Sequence, residues 1–486
     1  MKTTPYAHQQ VAFDLSKDRE VFALFMEMGT GKSKVAIDTM AYLYEQGRID
    51  RAVVIGNKGS YANWALSEIP THLSDSVPRE VMVRESGAGI KAILRMQKFM
   101  ENANCLRVLV VNVESLITKD CQATIQQFLK TGSCFVVMDE STTIKNPSAK
   151  RTKLAISLFR KAAYRRILTG SPITNSPIDL FSQCDFLQPG LLGTTSYYTF
   201  KNLYCVLRPI RVQDRSGRSP TGTRIVQVPA GYRNLDKLAK KLEFFSVRNT
   251  KAECFDLPDK IYPAPIRVEL TKEQLGMYRQ LKKQLLTMID ANAIITARNA
   301  LVMLTKLQQI TCGFVLDESG ECHSIPNNRI NALLSVLDEC QGEQVIIWAT
   351  NRAAIKAVAE SIQEVYGEDS CVTYYGADSE AERAKNLVGF KSGQYRFLVS
   401  NPAVGGFGLT LTNAKTVIYY NNGFSLEHRL QSEDRCHRIG QKYPVTYIDL
   451  ISPGTVDEKV LHALRQKRNL AAVVLQEELL DWVGDV

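Results

Sequence analysis

The chain has 486 residues, 45% of them hydrophobic and 23% charged, a composition typical of a globular protein long enough for two or three domains. No apolar run approaches the roughly 20 residues of a membrane span, and the start, MKTTPYAHQQ, lacks the apolar core of a signal peptide. Eleven cysteines are scattered without a CxxC pair, so neither a zinc ribbon nor a disulfide framework is indicated and a reducing, cytosolic setting is expected.

The first informative element is a glycine-rich turn between a predicted strand, VFALF, and a predicted helix, KVAIDTMAYLY. The turn reads MEMGTGKS over residues 26–33. Backbone N–H groups of Gly29, Thr30 and Gly31 would surround phosphate oxygens at the helix N-terminus. Lys32 would neutralise the β- and γ-phosphates, and the Ser33 hydroxyl would bind Mg²⁺. The alternative is an ordinary glycine turn.

A second element, CFVVMDES, is a predicted buried strand that ends in two carboxylates, Asp139 and Glu140. In a phosphate-loop enzyme the first carboxylate holds Mg²⁺, and the second orients or deprotonates the attacking water. Acidic residues at this position also cap helices, so the pair alone is weak evidence. Its place about a hundred residues after a phosphate loop favours the catalytic interpretation.

The excess positive charge is concentrated in one segment. Residues 201–251 contain twelve Lys or Arg against three acidic residues, a net charge of +9 out of +10 for the chain. The run RVQDRSGRSPTGTR predicts an exposed loop or hairpin. Such a surface is typical of proteins that bind a polyanion, although a solvated basic loop is the alternative. The candidate nucleic-acid contacts are Arg208, Arg211, Arg215, Arg218 and Arg224.

Strand-like stretches, among them RAVVIG (51–56), CFVVMD (134–139) and VTYIDLI (445–451), alternate with helix-like stretches through most of the chain. This alternation predicts an α/β fold with two parallel sheets covered by helices. The first series of strands runs to about residue 190 and the second begins near residue 330. We therefore expect an N-terminal ATP-binding lobe (1–190), a basic insertion that returns to this lobe (191–255), a helical linker region (256–328) and a C-terminal lobe (329–486). A closing helix is predicted from Thr455 to about Trp482.

Near the end of the chain, QSEDRCHRIGQ carries two arginines, Arg435 and Arg438. Guanidinium groups at i and i+3 would lie on one face of a helix and could reach the same phosphoryl group. A solvated basic helix is the alternative, which the upstream phosphate loop disfavours. If the arginines complete the transition state from the second lobe, closure of the cleft couples ATP hydrolysis to motion of the lobes.

With these motifs in hand, the chain resembles the Swi/Snf-type branch of superfamily-two helicases. The resemblance covers nearly the whole chain and rests on a set of motifs rather than on one: MEMGTGKS, NKGSYANWALSEI, DESTTIKN, LTGSPITNSPIDL, NTKAECFDLPDK, VGGFGLTLTNAKTVIYY and QSEDRCHRIGQKYPVTYIDLISPGTVDEKVL. The RIGQ and TVDE elements are specific to this branch. The resemblance implies two RecA-like P-loop lobes with an ATP cleft between them.

The resemblance also implies roles for single residues. Gln9 matches the glutamine that reads adenine, and Thr169 and Ser171 match the element that links nucleotide state to DNA. Gly406 and Gln431 match positions near the nucleotide. Lys58, Asn112 and Lys145 are candidate contacts to the backbone of a nucleic-acid strand. Three positions depart from the family pattern: Met26 replaces an acidic residue, Thr142 a histidine and Thr410 an asparagine.

The expected function is that of an ATP-dependent translocase on double-stranded DNA, with ATP and Mg²⁺ as cofactors. Forked or single-stranded DNA is an alternative partner. A strand-separating DNA or RNA helicase, or an ATP-gated DNA clamp with little turnover, is an alternative function. We expect no membrane partner, a monomer on DNA, and a location in the cytoplasm of a bacterial cell or a phage-infected host.

Overall fold

Two separate parallel sheets form the framework of the chain, one in each of the units into which it divides, Met1–Phe255 and Asp256–Val486. This confirms the predicted α/β fold with two helix-covered parallel sheets. The computed structural model describes residues 1–57, 61–84, 90–101, 104–130, 132–173, 176–213, 223–290, 297–317, 319–405 and 409–466. Within these ranges, no helix combines the length and the apolar character needed to cross a membrane.

The first sheet has seven strands, and every pair of neighbours is parallel, in the order β3-β4-β2-β5-β6-β1-β9. The two remaining strands, β7 and β8, pair with each other as an antiparallel hairpin. Strands covered on both faces read as continuous apolar runs, as RAVVIG does. The strands of this unit are β1 (Val21–Met26), β2 (Arg51–Gly56), β3 (Arg79–Val83), β4 (Leu106–Asn112), β5 (Cys134–Asp139), β6 (Tyr164–Leu168), β7 (Cys205–Gln213), β8 (Thr223–Tyr232) and β9 (Ser246–Asn249).

Helices cover both faces of this sheet. Alternate residues of β2 face opposite ways: Val53 belongs to a core with Phe128 and Phe159, and Val54 to a core with Phe13 and Trp64. The helices are α1 (Ala7–Ser16), α2 (Lys32–Glu45), α3 (Tyr61–Asn63), α4 (Ile69–His72), α5 (Ile90–Glu101), α6 (Lys119–Lys130), α7 (Lys150–Phe159), α8 (Leu180–Leu187), α9 (Tyr197–Tyr204), α10 (Leu235–Glu243) and α11 (Lys251–Cys254). A π-helical turn, Trp64–Glu68, lies between α3 and α4.

The second sheet is also parallel throughout, in the order β10-β18-β17-β14-β16-β15, with β11 pairing along β18 as well. A short antiparallel pair, β12–β13, lies apart from it. The strands are β10 (Lys260–Ile261), β11 (Ile266–Arg267), β12 (Phe314–Leu316), β13 (Cys322–Ser324), β14 (Val345–Trp348), β15 (Cys371–Tyr374), β16 (Phe397–Ser400), β17 (Thr416–Tyr419) and β18 (Val445–Ile451).

The segment predicted as a helical linker, 256–328, is part of the second unit. Its strands β10 and β11 extend the second sheet, and its two long helices pack against the last described helix through Tyr278, Leu307 and Val460. The helices of this unit are α12 (Lys272–Asp290), α13 (Ala297–Thr311), α14 (Arg329–Glu339), α15 (Arg352–Tyr366), α16 (Glu380–Lys391), α17 (Pro402–Gly405), α18 (Leu426–Glu433) and α19 (Val456–Arg465). The closing helix is thus present up to Arg465, and residues 467–486 lie outside the described residues.

Candidate nucleotide site

The phosphate loop lies between β1 and α2, as its glycines require. Gly29 and Gly31 have φ angles of +79° and +89°, in the left-handed region that favours glycine. A Cβ on Gly31 would lie 2.1 Å from Gln9 Nε2, so a side chain here would displace the Gln9 amide. Lys32 and Ser33 begin the 14-residue helix α2 and are half-buried. The first N–H groups of a helix have no partner within it, so this end suits an anion.

Side chains of helix α1 are hydrogen-bonded directly to the phosphate loop. The buried side chain of Gln9 donates from Nε2 to the carbonyl oxygen of Thr30 at 3.1 Å and accepts from the Tyr6 N–H at 3.1 Å. His8 Nε2 contacts the same Thr30 oxygen at 2.8 Å. The rings of Tyr6 and His8 meet Phe255 edge-on, at centroid distances of 5.4 and 5.0 Å. Gln9, the predicted adenine contact, therefore lies against the phosphate loop. His8 and Phe255 gave no recognisable signal in the sequence.

The paired carboxylates lie at the end of β5. Asp139 accepts a 2.9 Å hydrogen bond from the indole Nε1 of Trp64 on one oxygen, and a 3.1 Å bond from the Glu140 N–H on the other. Glu140 has a left-handed backbone, with φ +50°, which is uncommon for a residue other than glycine. Such strain persists only where the surroundings hold the residue in place. The two carboxylates thus follow each other at the carboxyl end of β5 and have different side-chain partners.

Two threonines hold the Glu140 carboxylate. Thr169 Oγ1 donates to Glu140 Oε1 at 2.7 Å, and Thr142 Oγ1 donates to the same oxygen at 3.3 Å. All three side chains are buried. Thr169 is one of the two residues expected to link nucleotide state to DNA, and the other, the exposed Ser171, donates its N–H to Thr169 Oγ1 at 3.1 Å. Thr142, which stands in place of the family histidine, thus contacts the catalytic candidate itself.

The loop after β6 also packs against the phosphate loop. A Cβ on Gly170 would lie 3.1 Å from the backbone nitrogen of Met28. Arg248 on β9 donates to the carbonyl oxygens of Phe25 and Gly170, at 3.1 and 2.8 Å. The buried Gln183 accepts from Ser141 Oγ at 2.6 Å and donates to the Pro172 carbonyl oxygen at 2.8 Å. The phosphate loop, the carboxylate pair and the Thr169 loop are therefore joined at one edge of the first sheet.

The arginine pair belongs to the second unit. Helix α18 ends at Glu433, so Arg435 and Arg438 lie in the turns that follow it and not on one face of a helix. The helical geometry expected for them is therefore wrong, because the chain turns after Asp434. They nevertheless converge: Arg435 and Arg438 donate to the carbonyl oxygen of Leu409 at 3.1 and 3.0 Å.

Gln431 lies on the last turn of α18 and is buried. Its Nε2 donates to Glu427 Oε1 at 3.2 Å, while its buried Oε1 has no hydrogen-bond partner within the part of the chain that the structure describes. A buried acceptor of this kind is costly unless a ligand or water satisfies it. Gly406, the other residue expected near the nucleotide in this unit, lies outside the described residues.

A buried cluster of charges supports α18. Arg429 binds Asp449 at 2.5 Å and Glu433 at 2.8 Å, and its guanidinium lies 3.5 Å from the centre of the Tyr419 ring. Tyr262 donates to Glu433 at 2.7 Å. Burial, together with the Glu433 carboxylate, raises the pKa of Tyr262 well above its ordinary value.

The segment that follows the boundary between the units is bonded to the arginine turn. His437, between the two arginines, contacts the Pro258 carbonyl oxygen through Nε2 at 2.7 Å. Val445 donates its N–H to Asp259 O at 3.0 Å, and Lys260 binds Glu433 at 3.2 Å. Burial lowers the pKa of Lys260, but the carboxylates of Asp434 and Glu433 outweigh it and raise that pKa above its ordinary value. We call residues 256–262 the connector.

The candidate nucleic-acid residues are spread over the first unit. Arg208, Arg211 and Arg224 lie on the β7–β8 hairpin, in register with Val228, Ile225 and Val212. Asn112 accepts from the Glu114 N–H at 2.9 Å and caps a 3₁₀ turn, and Lys145 ends the 3₁₀ turn after Glu140. Lys58, Arg215 and Arg218 lie outside the described residues.

Comparison with known proteins assigns the chain to a family. Residues 6–314 match the SNF2-related domain, and residues 328–440 match the helicase conserved C-terminal domain. The first of these matches covers more than half of the chain. The pair of domains makes the chain an ATP-hydrolysing enzyme of the helicase type.

Two relatives from yeast and Mycoplasma are much longer than this chain. The TATA-binding protein-associated factor MOT1 of Saccharomyces cerevisiae is 28% identical over 398 residues, which cover 72% of this chain and 21% of MOT1. The ATP-dependent helicase MG018 of Mycoplasma genitalium is 27% identical over 349 residues, covering 71% of this chain and 31% of MG018. The chain thus spans about a fifth to a third of the length of these relatives.

Among solved structures, the SWI2/SNF2 ATPase core of Sulfolobus solfataricus in complex with double-stranded DNA aligns with a TM-score of 0.42 and 25% identity, over 98% of this chain and 94% of that one. The assignment itself rests on the two domain matches, which span the motifs at the first sheet edge and the arginine turn. The chain belongs to the SNF2-related family of helicase-type ATPases.

Proposed function

We propose that this protein is a DNA-stimulated ATPase that translocates along double-stranded DNA, with ATP and Mg²⁺ as cofactors. The observation that carries the proposal is the meeting of the phosphate loop, Asp139, Glu140 and Thr169 at one sheet edge in a chain of the SNF2-related family. A nucleotide-binding protein without turnover has no need of a buried, oriented carboxylate beside its phosphate loop.

The donor set fits a nucleoside triphosphate with magnesium. Left-handed Gly29 and Gly31 open the loop backbone toward phosphate oxygens, and Lys32 at the start of α2 binds the β- and γ-phosphates. Ser33 and Asp139 supply the hard oxygen ligands that Mg²⁺ prefers. The bound ion neutralises charge on the phosphates. Gln9, which is hydrogen-bonded to the loop, recognises adenine through the hydrogen-bonding positions of its amide that the loop does not occupy.

In the proposed hydrolytic step Glu140 orients the attacking water and accepts its proton. The hydrogen bond from Thr169 fixes the rotamer of Glu140, so the loop that carries Ser171 is sensitive to the state of the carboxylate. Arg435 and Arg438 stabilise the charge of the transferring phosphoryl group when the units close. Because this closure is required in every cycle, ATP turnover becomes motion along the nucleic acid.

Duplex DNA is the proposed substrate because of family membership and the basic segment. The β7–β8 hairpin carries Arg208, Arg211 and Arg224 in a segment with net charge +9. Contacts of this kind bind phosphates without regard to sequence, as a translocase requires. Lys58, Asn112 and Lys145 are further proposed contacts to the backbone, and the protein acts as a monomer on DNA in the cytoplasm.

The deciding experiment compares ATP turnover with duplex DNA, single-stranded DNA and RNA of equal length. We expect duplex DNA to stimulate most, and stimulation by RNA alone would contradict the proposal. Displacement of a third strand from a triplex then tests movement. Displacement without separation of the duplex supports translocation, separation of the duplex identifies a strand-separating helicase, and DNA binding with negligible turnover identifies an ATP-gated clamp.

A further inference from the structure

The buried Trp64 donates a hydrogen bond to a carboxylate. Its side chain is 1% exposed, and its only polar atom donates a 2.9 Å hydrogen bond to Asp139 Oδ2, 75 residues further along the chain. A buried indole N–H needs an acceptor, but any backbone carbonyl oxygen would serve. Here the acceptor is the carboxylate proposed to hold Mg²⁺. A hydrogen bond to a charged group is about twice as strong as one between neutral groups.

The backbone around Trp64 is also unusual. Helix α3 gives way to a π-helical turn that begins at Trp64 and ends at Glu68, before α4 begins at Ile69. Turns of this kind are rare and occur often at functional sites, because the extra residue rotates the side chains that follow. The π-helical turn begins at Trp64, the residue whose indole contacts Asp139 at the end of β5.

The bonding of Asp139 leaves capacity for a metal. An ionised carboxylate offers about four lone-pair positions. The indole of Trp64 uses one on Oδ2, and the Glu140 N–H uses one on Oδ1. The two donors approach different oxygens, so together they fix the rotation of the carboxylate and leave a lone pair of each oxygen for the ion or its bound water.

We propose that Trp64 is a positioning residue for magnesium: its indole N–H holds Asp139 in the orientation that binds Mg²⁺ beside the phosphate loop. The inference rests on the proposed function, which assigns Asp139 to the ion. Residues that orient metal ligands typically change metal affinity about 10- to 100-fold when they are removed. Mg²⁺ is sensitive to such losses because it demands nearly ideal octahedral geometry.

The second unit provides a matched control. Trp348 is fully buried, as Trp64 is, but its Nε1 has no hydrogen-bond partner among the described residues. Trp348→Phe therefore removes an indole N–H that orients nothing. Any general effect of replacing a buried tryptophan appears in both variants, whereas an effect on magnesium appears only in Trp64→Phe.

The test measures the Mg²⁺ concentration that half-saturates the fluorescence change of bound mant-AMPPNP, a nucleotide that is not hydrolysed. Trp64→Phe is expected to raise this concentration about tenfold, with unchanged affinity for the nucleotide in EDTA. A second variant carries 3-benzothienylalanine at position 64, which keeps the shape of the indole and replaces N–H by sulfur. We expect the same tenfold increase, whereas Trp348→Phe should match the unaltered protein.

An unchanged Mg²⁺ requirement in the benzothienylalanine variant would overturn the inference, even if Trp64→Phe alone has an effect or fails to fold, since ring packing would then be responsible. Asp139→Asn separates this inference from the proposed function. If Asp139→Asn raises the Mg²⁺ requirement and both Trp64 variants do not, only the role of Trp64 is wrong. If Asp139→Asn also leaves it unchanged, the assignment of Asp139 to magnesium is wrong.

Discussion

Arg435 and Arg438 donate to one acceptor, the carbonyl oxygen of Leu409, at 3.1 and 3.0 Å. Arg435 also donates from Nε to the Gln431 carbonyl oxygen at 2.9 Å. A phosphoryl group offers three charged oxygens in place of one neutral oxygen. The turn thus brings the two guanidinium groups to one oxygen atom.

The first prediction concerns this pair. Arg438→Ala should lower the kcat for ATP by about 10³-fold or more, as the loss of an arginine finger does, with a much smaller change in nucleotide affinity. Steady-state ATPase assays with duplex DNA check the rate, and mant-nucleotide titration checks binding. Arg267→Ala removes an exposed arginine of the same unit, paired at 3.5 Å with Glu458, and serves as the control. Near-normal turnover of the Arg438 variant would contradict the transition-state role.

The second prediction concerns the proposed general base. Glu140→Gln should bind ATP yet lose about 10²- to 10⁴-fold in kcat, because an amide cannot accept the proton. Equilibrium binding of ATP and single-turnover hydrolysis separate the two steps. An equal loss of ATP binding and turnover would show instead that Glu140 supports the nucleotide pocket.

The third prediction concerns Thr169. Thr169→Val keeps the shape of the side chain and removes the 2.7 Å hydrogen bond to Glu140. We expect the kcat of this variant to fall about tenfold or more, with little effect on KM, because the lost hydrogen bond has a charged acceptor. Thr124→Val, which removes a 2.9 Å bond to the Asp120 carbonyl oxygen within α6, is the control. A Thr169 variant that behaves like this control would exclude orientation of Glu140 by Thr169.

The sequence predicted the strands well. RAVVIG, CFVVMD and VTYIDLI coincide with β2, β5 and β18 at both ends, because continuous apolar runs bounded by polar residues leave little choice of register. The predicted hairpin in the basic segment is confirmed by β7 and β8. The short strands β9 and β10 went unrecognised, because their sequences, SVRN and KI, contain no continuous apolar run.

The site was predictable only where its residues are close in sequence. The local sequence pattern alone predicted the phosphate loop, Gly29 to Ser33, and the carboxylate pair, Asp139 and Glu140. The contacts of Trp64 with Asp139 and of Thr169 with Glu140 join residues 75 and 29 positions apart, and no local signal encodes them. The helix expected for Arg435 and Arg438 failed for a different reason: polar residues with moderate helix propensity do not show where a helix ends, and α18 ends two residues before Arg435.

The fourth prediction concerns the basic hairpin. Changing Arg208, Arg211 and Arg224 to Glu should weaken binding of duplex DNA and reduce the slope of log Kd against log salt concentration by about 1 for each phosphate that the hairpin no longer binds. Fluorescence anisotropy at several salt concentrations measures both quantities. Glutamate at Lys119, Lys130 and Lys153, on α6 and α7, gives the same change in net charge elsewhere on the first unit. Equal effects of the two triple variants would show that the hairpin has no specific role.

The fifth prediction concerns the stability of the second unit. Arg429→Met should lower its free energy of unfolding by about 3–5 kcal/mol, because Asp449 and Glu433 would stay buried without their main cation. Lys356→Met breaks an exposed 3.7 Å pair with Glu360 and should cost at most about 0.5 kcal/mol. Urea unfolding followed by Trp348 fluorescence, with Trp64 and Trp482 replaced by Phe, reports on this unit alone. Similar midpoints for both variants would contradict a supporting role of the cluster.

The connector has a mechanical consequence. Tension that enters residues 256–262 from their N-terminal end meets the bond of Pro258 with His437 before it meets the bonds of Asp259 with Val445 and of Lys260 with Glu433. Tension along the polypeptide is therefore transmitted first to His437, which lies between the two arginines in the sequence. If Arg435 and Arg438 act on the phosphoryl group as proposed, a load carried along the polypeptide reaches them without a separate sensor.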